Sequence, residues 1–505
     1  MTTYPTEPLP RLAALDGLLA APAGRVPERL RGLAADLGIT GTAADPDAAH
    51  DPDAAEPAVP ALIAALRTTT GPRGAAVALL LGLLAEAPGE RVRAAVHRGF
   101  TDYLEVLAER GRDSRAELLA LTFLVAHFPQ ERDAVLAATA GLPLPAGDRA
   151  RLRRCLDPLD PQDPELTRIW PDPTHWRALP PAEREFDRAW MVQAPAGMMR
   201  TAYELDTRSL LAYSGAKALW AAEHGGEEPT GTDPDLRLPA ATAGTGPAYA
   251  AHLAAMRCPS CEGGLVLDSG AVACTACGTV FPADGGTVDL SLGVGDPHEP
   301  MTKNVPLCYS EIRSAFLRWK GTNWGGAVSV QDEDEYLRGA VRPVDGPILD
   351  LAAGTGRWTA VLAETHGADR VIALDLSAAM LRQVHAGLPD VATVRGSALN
   401  LPFRDASLGA VNIWNALQSL PDQAAAIAEV GRCLRPGGTF TLMTFRPSTD
   451  PLYRVFQTAP FGVIPVALSA PEDLRAWLTA AGMTLVSQWT PGSFVFITAV
   501  RDQIG

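Results

Sequence analysis

The sequence predicts a multidomain chain: an all-α N-terminal module, a small cysteine-bound metal module, and a C-terminal α/β domain that binds a nucleoside. Three observations predict it. Leucines recur at helical spacing in the first part, as in Leu12, Leu15 and Leu19. Two C-x₂-C pairs follow, Cys258 with Cys261 and Cys274 with Cys277. Downstream, an apolar run ends in the small-residue loop Ala352-Ala-Gly-Thr-Gly356, and a second apolar run ends at Asp375. Strand, glycine turn, helix, and strand with a carboxylate at its tip form a nucleoside cradle. The glycines admit a ligand where a Cβ would collide, and the carboxylate can take both ribose hydroxyls.

The chain has 505 residues, too many for one ordinary domain. The expected organisation is a helical module over 1–224, a linker over 225–250, the cysteine module over 251–292 and the α/β domain over 300–505. The net charge of -15 counts against nucleic-acid binding, which needs a basic face to neutralise phosphates. The N-terminus lacks the basic and apolar regions of a signal peptide, and the longest apolar stretch, 74–87, is too short to span a bilayer. Cys155, Cys308 and Cys433 show no disulfide spacing. A reduced, cytoplasmic chain without a membrane segment is expected.

In the helical module, helices are expected over 71–87, 90–110, 115–127 and 130–140, separated by short breaks. Ser114-Arg-Ala-Glu117 reads as a capping box, with serine and glutamate side chains taking the first amides. Residues 142–181 are proline-rich and read as mostly irregular, and two more helices are expected over 182–193 and 198–224. The paired helices resemble HEAT-like α-hairpins. Gly, Pro, Thr and Asp dominate 225–247, which marks the clearest boundary.

Each C-x₂-C pair places two thiolates on a tight turn, and two such turns close a tetrahedral four-cysteine site. Zinc fits, and so does iron. Four thiolates leave no open position, so the metal is expected to be structural. Residues 277–290 resemble the Trm112-like zinc ribbon that precedes some methyltransferase domains. Bacterial rRNA guanine methyltransferases also carry a ribbon, there used on RNA, so this resemblance supports two substrate classes. Loss of a cysteine is expected to unfold the ribbon locally without abolishing cofactor binding, because the α/β domain has its own core.

The glycine loop resembles motif I of the class I S-adenosylmethionine-dependent methyltransferases, with Asp350, Ala352, Gly354 and Gly356 in the motif positions and Ala352 replacing the first glycine. Asp375, followed by Leu376, falls where the family's ribose-binding acid sits. Ser397 and Ala398, ahead of Leu401-Pro-Phe403, resemble the adenine-contacting segment. Residues 411–415 resemble the fourth strand, and Leu434-Arg-Pro-Gly-Gly438 the turn before the fifth, 439–443. The resemblance implies a Rossmann-like methyltransferase domain that binds S-adenosyl-L-methionine through Asp350, Ala352, Gly354, Gly356, Asp375, Leu376, Ser397, Ala398 and Asn415. A dinucleotide-binding dehydrogenase would want G-x-G-x-x-G, and this loop offers only Gly354-Thr-Gly356.

For the acceptor side, the resemblance points to the end of the fourth strand and to the segment before the first. Tyr309 and Asn415 are the candidate catalytic residues, Tyr309 as an aromatic cap. Arg313, Trp319 and Trp324 lie in the same preceding segment, Arg446 and Tyr453 are candidate acceptor-pocket residues, and His298 is a possible base in a linker. The histidine that many relatives carry near Gln418 is missing. So is the Asn/Asp-Pro-Pro-aromatic tetrapeptide of enzymes that methylate base amines. The reading is methyl transfer to a small molecule or peptide in specialised metabolism, with the helical module assisting acceptor binding. An RNA base methyltransferase and a non-methylating cyclase or scaffold remain the alternatives.

Overall fold

A computed structural model describes residues 10–39, 53–160, 172–178, 181, 184–185, 188–189, 195–225, 247–284, 286–295, 313–458 and 467–503. The chain forms two compact units. One comprises Met1–Thr230 with Ser448–Val463, and the other Gly231–Pro447 with Ile464–Gly505. The C-terminal range 300–505 is therefore not one unit: an excursion after its fifth parallel strand clusters with the helices.

The helical unit is built around helix Gly71–Glu86, which is buried on every face from Gly74 to Ala85. A helix apolar all round must sit inside a bundle, and this one packs against helices Arg115–Val125 and Ala196–His224. A Cβ on Gly82 would lie 2.5 Å from the Phe123 ring, so the bare backbone lets that ring in. Helix Pro451–Thr458 joins from the excursion. Its Phe456 packs edge-on to Phe123, at 5.8 Å between ring centres, and fills the space over Gly215.

Three expectations differ here. The helix expected over 90–110 is two, Glu90–His97 and Phe100–Arg110, broken at Gly99, where a Cβ would meet the Tyr103 hydroxyl at 2.5 Å. The Ser114 box is half-formed. Ser114 Oγ accepts from the Glu117 amide at 3.3 Å, but the buried Glu117 carboxyl lies 3.8 Å from Arg110 Nη1 instead of reaching back. Finally, the stretch expected to be irregular contains helix Ala146–Leu156. Its short apolar face, Leu152, Cys155 and Leu156, is buried together with ions: the buried Asp148 bonds Arg151, and Lys217 Nζ donates to it at 2.7 Å.

The second unit carries two sheets. Strands β1 (Leu265–Asp268), β2 (Ala271–Cys274) and β3 (Val280–Phe281) form a small antiparallel sheet. The large sheet contains β4 (Ala283–Asp284), β5 (Thr287–Asp289), β6 (Ile348–Leu351), β7 (Val371–Asp375), β8 (Ala392–Arg395), β9 (Leu408–Trp414), β10 (Leu434–Phe445), β11 (Met483–Trp489) and β12 (Phe494–Arg501). Its order is β11-β12-β10-β9-β6-β7-β8-β5-β4. The run from β10 to β5 is parallel, while β12 and β11 continue antiparallel on one edge and β4 on the other. Strands β6 to β10 are buried on both faces, as a covered parallel sheet requires. From β6 the chain winds outward through β7 and β8, then returns to β9 on the other side. That reversal opens a crevice at the C-terminal ends of β6 and β9.

The cysteine module is not a separate body. Its β5 extends the large sheet by pairing Val288 with Val394. Met256, Cys258, Val272 and Phe281 share one apolar cluster with Leu351, Leu374, Leu401 and Phe403. The α/β domain, expected to have a core of its own, thus shares one continuous core with the ribbon.

Candidate functional site: a nucleoside cradle and a four-thiol cluster

The loop after β6 crosses the crevice in a left-handed path. Ala352, Gly354 and Gly356 have φ of 56°, 56° and 86°. Alanine pays a steric cost there that glycine does not. A Cβ added to Gly354 would meet no protein atom within 4 Å, so the space beside it is open. Gly356 stands at the N-cap of helix Arg357–His366, whose first amides have no acceptor within the helix.

Asp375 ends β7 half-buried. Its Oδ2 accepts from the Gly354 amide at 2.8 Å and its Oδ1 from the Ser377 amide at 2.9 Å. The carboxylate therefore fixes the glycine loop. Asp350 is placed differently from the expected cofactor contact. It is buried, Oδ2 accepts from Thr359 Oγ1 at 2.5 Å, and Oδ1 accepts from Asn412 Nδ2 at 2.8 Å. Burial, abetted by the Asp375 charge, pushes its carboxyl up to about 6, against the pull of those two donors. Asp350 ties the tip of β6 to the loop helix and to β9. Asn412 in turn accepts from Thr441 Oγ1 at 2.9 Å, extending the tie to β10.

The segment after β8 turns back beneath Asp375. The Gly396 amide donates to the Asp375 carbonyl at 3.0 Å. Ser397 accepts from the Leu399 amide, and Ser397 and Ala398 are half-buried. Leu376 gives its carbonyl to Arg395 Nε at 3.0 Å, and Arg395 pairs with Asp289 at 2.9 Å.

At the end of β9, Asn415 is left-handed, with φ of 55°. Its amide donates to the Met443 carbonyl, and its own carbonyl accepts from Gln418 Nε2 at 2.8 Å. Gln418 is buried and fixed by Thr444 Oγ1 at 3.0 Å. Gln418 is an amide that cannot take a proton near neutrality, and it orients Asn415.

Helix Arg313–Lys320 and helix Val330–Ala340 close the β9 side. The fully buried Glu333 receives Arg313 Nε at 2.9 Å and Trp414 Nε1 at 2.9 Å, and the Arg313 guanidinium lies 5.0 Å from the Trp358 ring centre. One carboxylate thus joins the preceding segment to the tip of β9, and Arg313 carries the link to the loop helix. Trp319 and Trp324 are buried as packing residues. Tyr309 and His298 lie outside the described residues. Tyr453 belongs to the helical unit, where it is buried and its hydroxyl is held well above the ordinary range by burial. Arg446 donates through Nη2 to the Gly492 carbonyl at 2.7 Å.

Cys258, Cys261, Cys274 and Cys277 converge, with all four sulfurs within 4.8 Å of one another. Cys258 to Cys277 is 3.8 Å and Cys261 to Cys274 is 3.4 Å. Zinc–sulfur bonds of about 2.3 Å give a tetrahedral edge of about 3.8 Å, so the set fits zinc or iron. Amides of Ala276 and Cys277 point at Cys274 Sγ at 3.4 and 3.5 Å. The Thr279 hydroxyl and amide bring the Cys277 thiol down to about 6, favouring the ligating thiolate. Gly263 was not among the expected site residues. A Cβ there would lie 2.9 Å from Cys274 Sγ, so only glycine leaves the sulfurs room.

The described residues include no helix long and apolar enough to cross a membrane. A family described as "methyltransferase domain" matches residues 348–438. A chloroplastic methyltransferase of Arabidopsis thaliana is 30% identical over 222 residues, covering 41% of this chain and 59% of the relative. The demethylmenaquinone methyltransferase of Staphylococcus epidermidis is 37% identical over 164 residues, covering 31% of this chain and 68% of that enzyme. Among solved structures, the Haloferax volcanii complex of the Trm112 methyltransferase activator with a methyltransferase aligns at 17% identity, 40% of this chain, 98% of that chain and TM-score 0.33. The geranyl diphosphate C-methyltransferase of Streptomyces coelicolor aligns at 16% identity, 34% of this chain, 79% of that chain and TM-score 0.30. With the cradle between β6 and β7 and two thirds of the staphylococcal enzyme matched, the chain belongs to the class I S-adenosylmethionine-dependent methyltransferases.

Proposed function

We propose that the protein transfers a methyl group from S-adenosylmethionine to a small-molecule or peptide acceptor in specialised metabolism. The observation that carries this is the loop itself, with open space beside Gly354 and Asp375 clamped by two amides across the crevice. Asp375 would take the ribose hydroxyls, Ser397 and Ala398 would flank the adenine, and Leu376 would line the wall between them. The sulfonium supplies an electrophilic methyl carbon for in-line attack by the acceptor. The chain's part is alignment, which supplies much of the acceleration in such displacements. Asn415, fixed by Gln418 and Thr444, would orient the acceptor, with Tyr309 as the cap.

Two facts support a small acceptor over RNA. The staphylococcal relative acts on demethylmenaquinone, a small molecule. The ribbon's exposed side chains include Val266, Leu267 and Val280, an apolar set unsuited to phosphates. The helices would assist acceptor binding, because the motif-bearing segments fill most of 348–443 and leave the α/β domain little sequence for it. The four cysteines would hold one structural zinc.

The test is incubation with methyl-labelled donor and fractionated host extract, with Gly354→Arg as control. Label in a low-mass or peptide fraction, lost in the variant and insensitive to salt, is expected. Label in RNA, falling by orders of magnitude between about 50 and 200 mM salt, would replace this reading with RNA methylation. Donor binding without any label transfer would leave a non-methylating role.

A further inference from the structure

The stretch just before the first cysteine knuckle is zipped to the segment expected to contact adenine. The Arg257 amide donates to the Pro402 carbonyl at 3.0 Å, and the Arg404 amide to the Ala255 carbonyl at 2.9 Å. Met256 and Phe403 form the antiparallel bridge between them, and both are fully buried. Arg404 Nε adds a bond to the Met256 carbonyl at 3.1 Å. Inside the knuckle, the Pro259 carbonyl accepts from Asn400 Nδ2 at 3.2 Å. Cys258 itself is buried in the same apolar cluster as Leu401 and Phe403. A second route runs through β5: Asp289 holds Arg395, and Arg395 holds the carbonyl of Leu376, next to Asp375.

We infer that the four-cysteine ribbon is a positioning element for the cofactor, so that metal occupancy and S-adenosylmethionine affinity are thermodynamically linked. The inference rests on the cofactor-site reading above. Asn400 is its positioning residue, acting on the adenine wall through the knuckle. With the metal bound, Pro259 and Met256 present their carbonyls at fixed places and the turn over 397–403 is held. Without it, the knuckle relaxes, and the turn keeps only its bonds to Asp375 and to helix Gln423–Cys433. Linkage is reciprocal, so the cofactor must hold the metal as much as the metal holds the cofactor.

The experiment uses the full-length zinc-loaded protein and S-adenosylhomocysteine as the probe. Calorimetry is run on loaded, chelator-stripped and re-zincated protein, and on Asn400→Ala and Asp375→Ala. Zinc release to a chromogenic chelator is timed with and without saturating S-adenosylhomocysteine. Stripping is expected to cost about tenfold in affinity, a coupling of ordinary size, and zinc restores it. The probe should slow zinc release by a similar factor. Asn400→Ala should weaken the probe several-fold and accelerate release while keeping its zinc and its circular dichroism. Two results overturn the linkage: stripped, folded protein with undiminished affinity, or probe-independent zinc release. If stripping unfolds the protein, Asn400→Ala and the release rate still decide. Weakening in Asp375→Ala alone refutes the linkage and spares the cofactor site. A loaded protein that does not bind the probe refutes both.

Discussion

Gly354→Ala separates what the loop conformation requires from what the ligand requires. Residue 354 has φ of 56°, so an alanine there pays for a left-handed backbone, about 1–2 kcal/mol. It pays nothing more in the cofactor-free protein, because its Cβ would meet no atom within 4 Å. That the loop tolerates such a cost is evident two residues earlier, where Ala352 already sits at φ of 56°. The new methyl would instead project into the space reserved for the nucleoside, beside the carboxylate clamp of Asp375. Losing one hydrogen bond to a charged group costs about 1.5–3 kcal/mol, or about ten- to a hundredfold in affinity. Chemical denaturation without ligand should therefore show a loss of about 1–2 kcal/mol, and calorimetry with S-adenosylhomocysteine a loss of tenfold or more. Ala352→Gly is the partner measurement, with the same strain relieved and stability raised by about 1 kcal/mol. Undiminished affinity in Gly354→Ala would refute the placement of the nucleoside beside this loop.

Three further outcomes are expected. Asp350 binds its proton more tightly folded, at about 6, than an ordinary aspartate does at 3.8, so wild-type stability is full below the lower value and falls as pH rises through the upper. Asp350→Asn, with the Thr359 hydroxyl turned to accept, removes this titration. The stability difference between variant and wild type should grow by about 3 kcal/mol from pH 3.5 to 7 in cofactor-free denaturation, and a flat difference would contradict a buried, proton-retaining Asp350. Gly263→Ala pushes a methyl toward two ligand sulfurs. Overpacking of about 1–3 kcal/mol predicts zinc loss to a chelator about ten- to a hundredfold faster, and unchanged retention would show that the knuckle gives way. Phe456→Ala opens a cavity against Phe123 and Gly215, costing the helical unit about 3–5 kcal/mol while leaving S-adenosylhomocysteine affinity unchanged. A large affinity loss would show the excursion acting on the cofactor site.

The parallel strands, the glycine loop, Asp375 and the four cysteines were legible because each is a local pattern: an apolar run, a turn residue, a fixed spacing. Interactions between distant segments were not. Nothing near Thr287 announces that it pairs with Thr393, and that pairing merges the ribbon with the sheet. Asn412 reads as an ordinary strand residue until the fold sets it against Asp350. Helix Ala146–Leu156 reads as irregular because its buried face mixes three apolar residues, Leu152, Cys155 and Leu156, with the ion-paired Asp148 and Arg151, and charged residues dilute the periodic apolar signal. Tyr453 reads as an acceptor-pocket residue, since sequence order alone gives no sign that its neighbour Phe456 belongs to another core. Motif spacing places Asp350 at the loop without saying which way its side chain turns, and the fold turns it to Thr359 and Asn412.

The central claim is that one S-adenosylmethionine binds where Gly354 and Asp375 meet. Isothermal titration of S-adenosylhomocysteine into wild type and Asp375→Ala tests it most directly. The geometry predicts one site per chain in wild type and affinity about ten- to a hundredfold weaker in the variant, which loses the carboxylate and leaves the Gly354 and Ser377 amides without their acceptor. Equal affinity in the two proteins, or no binding to wild type, would contradict it.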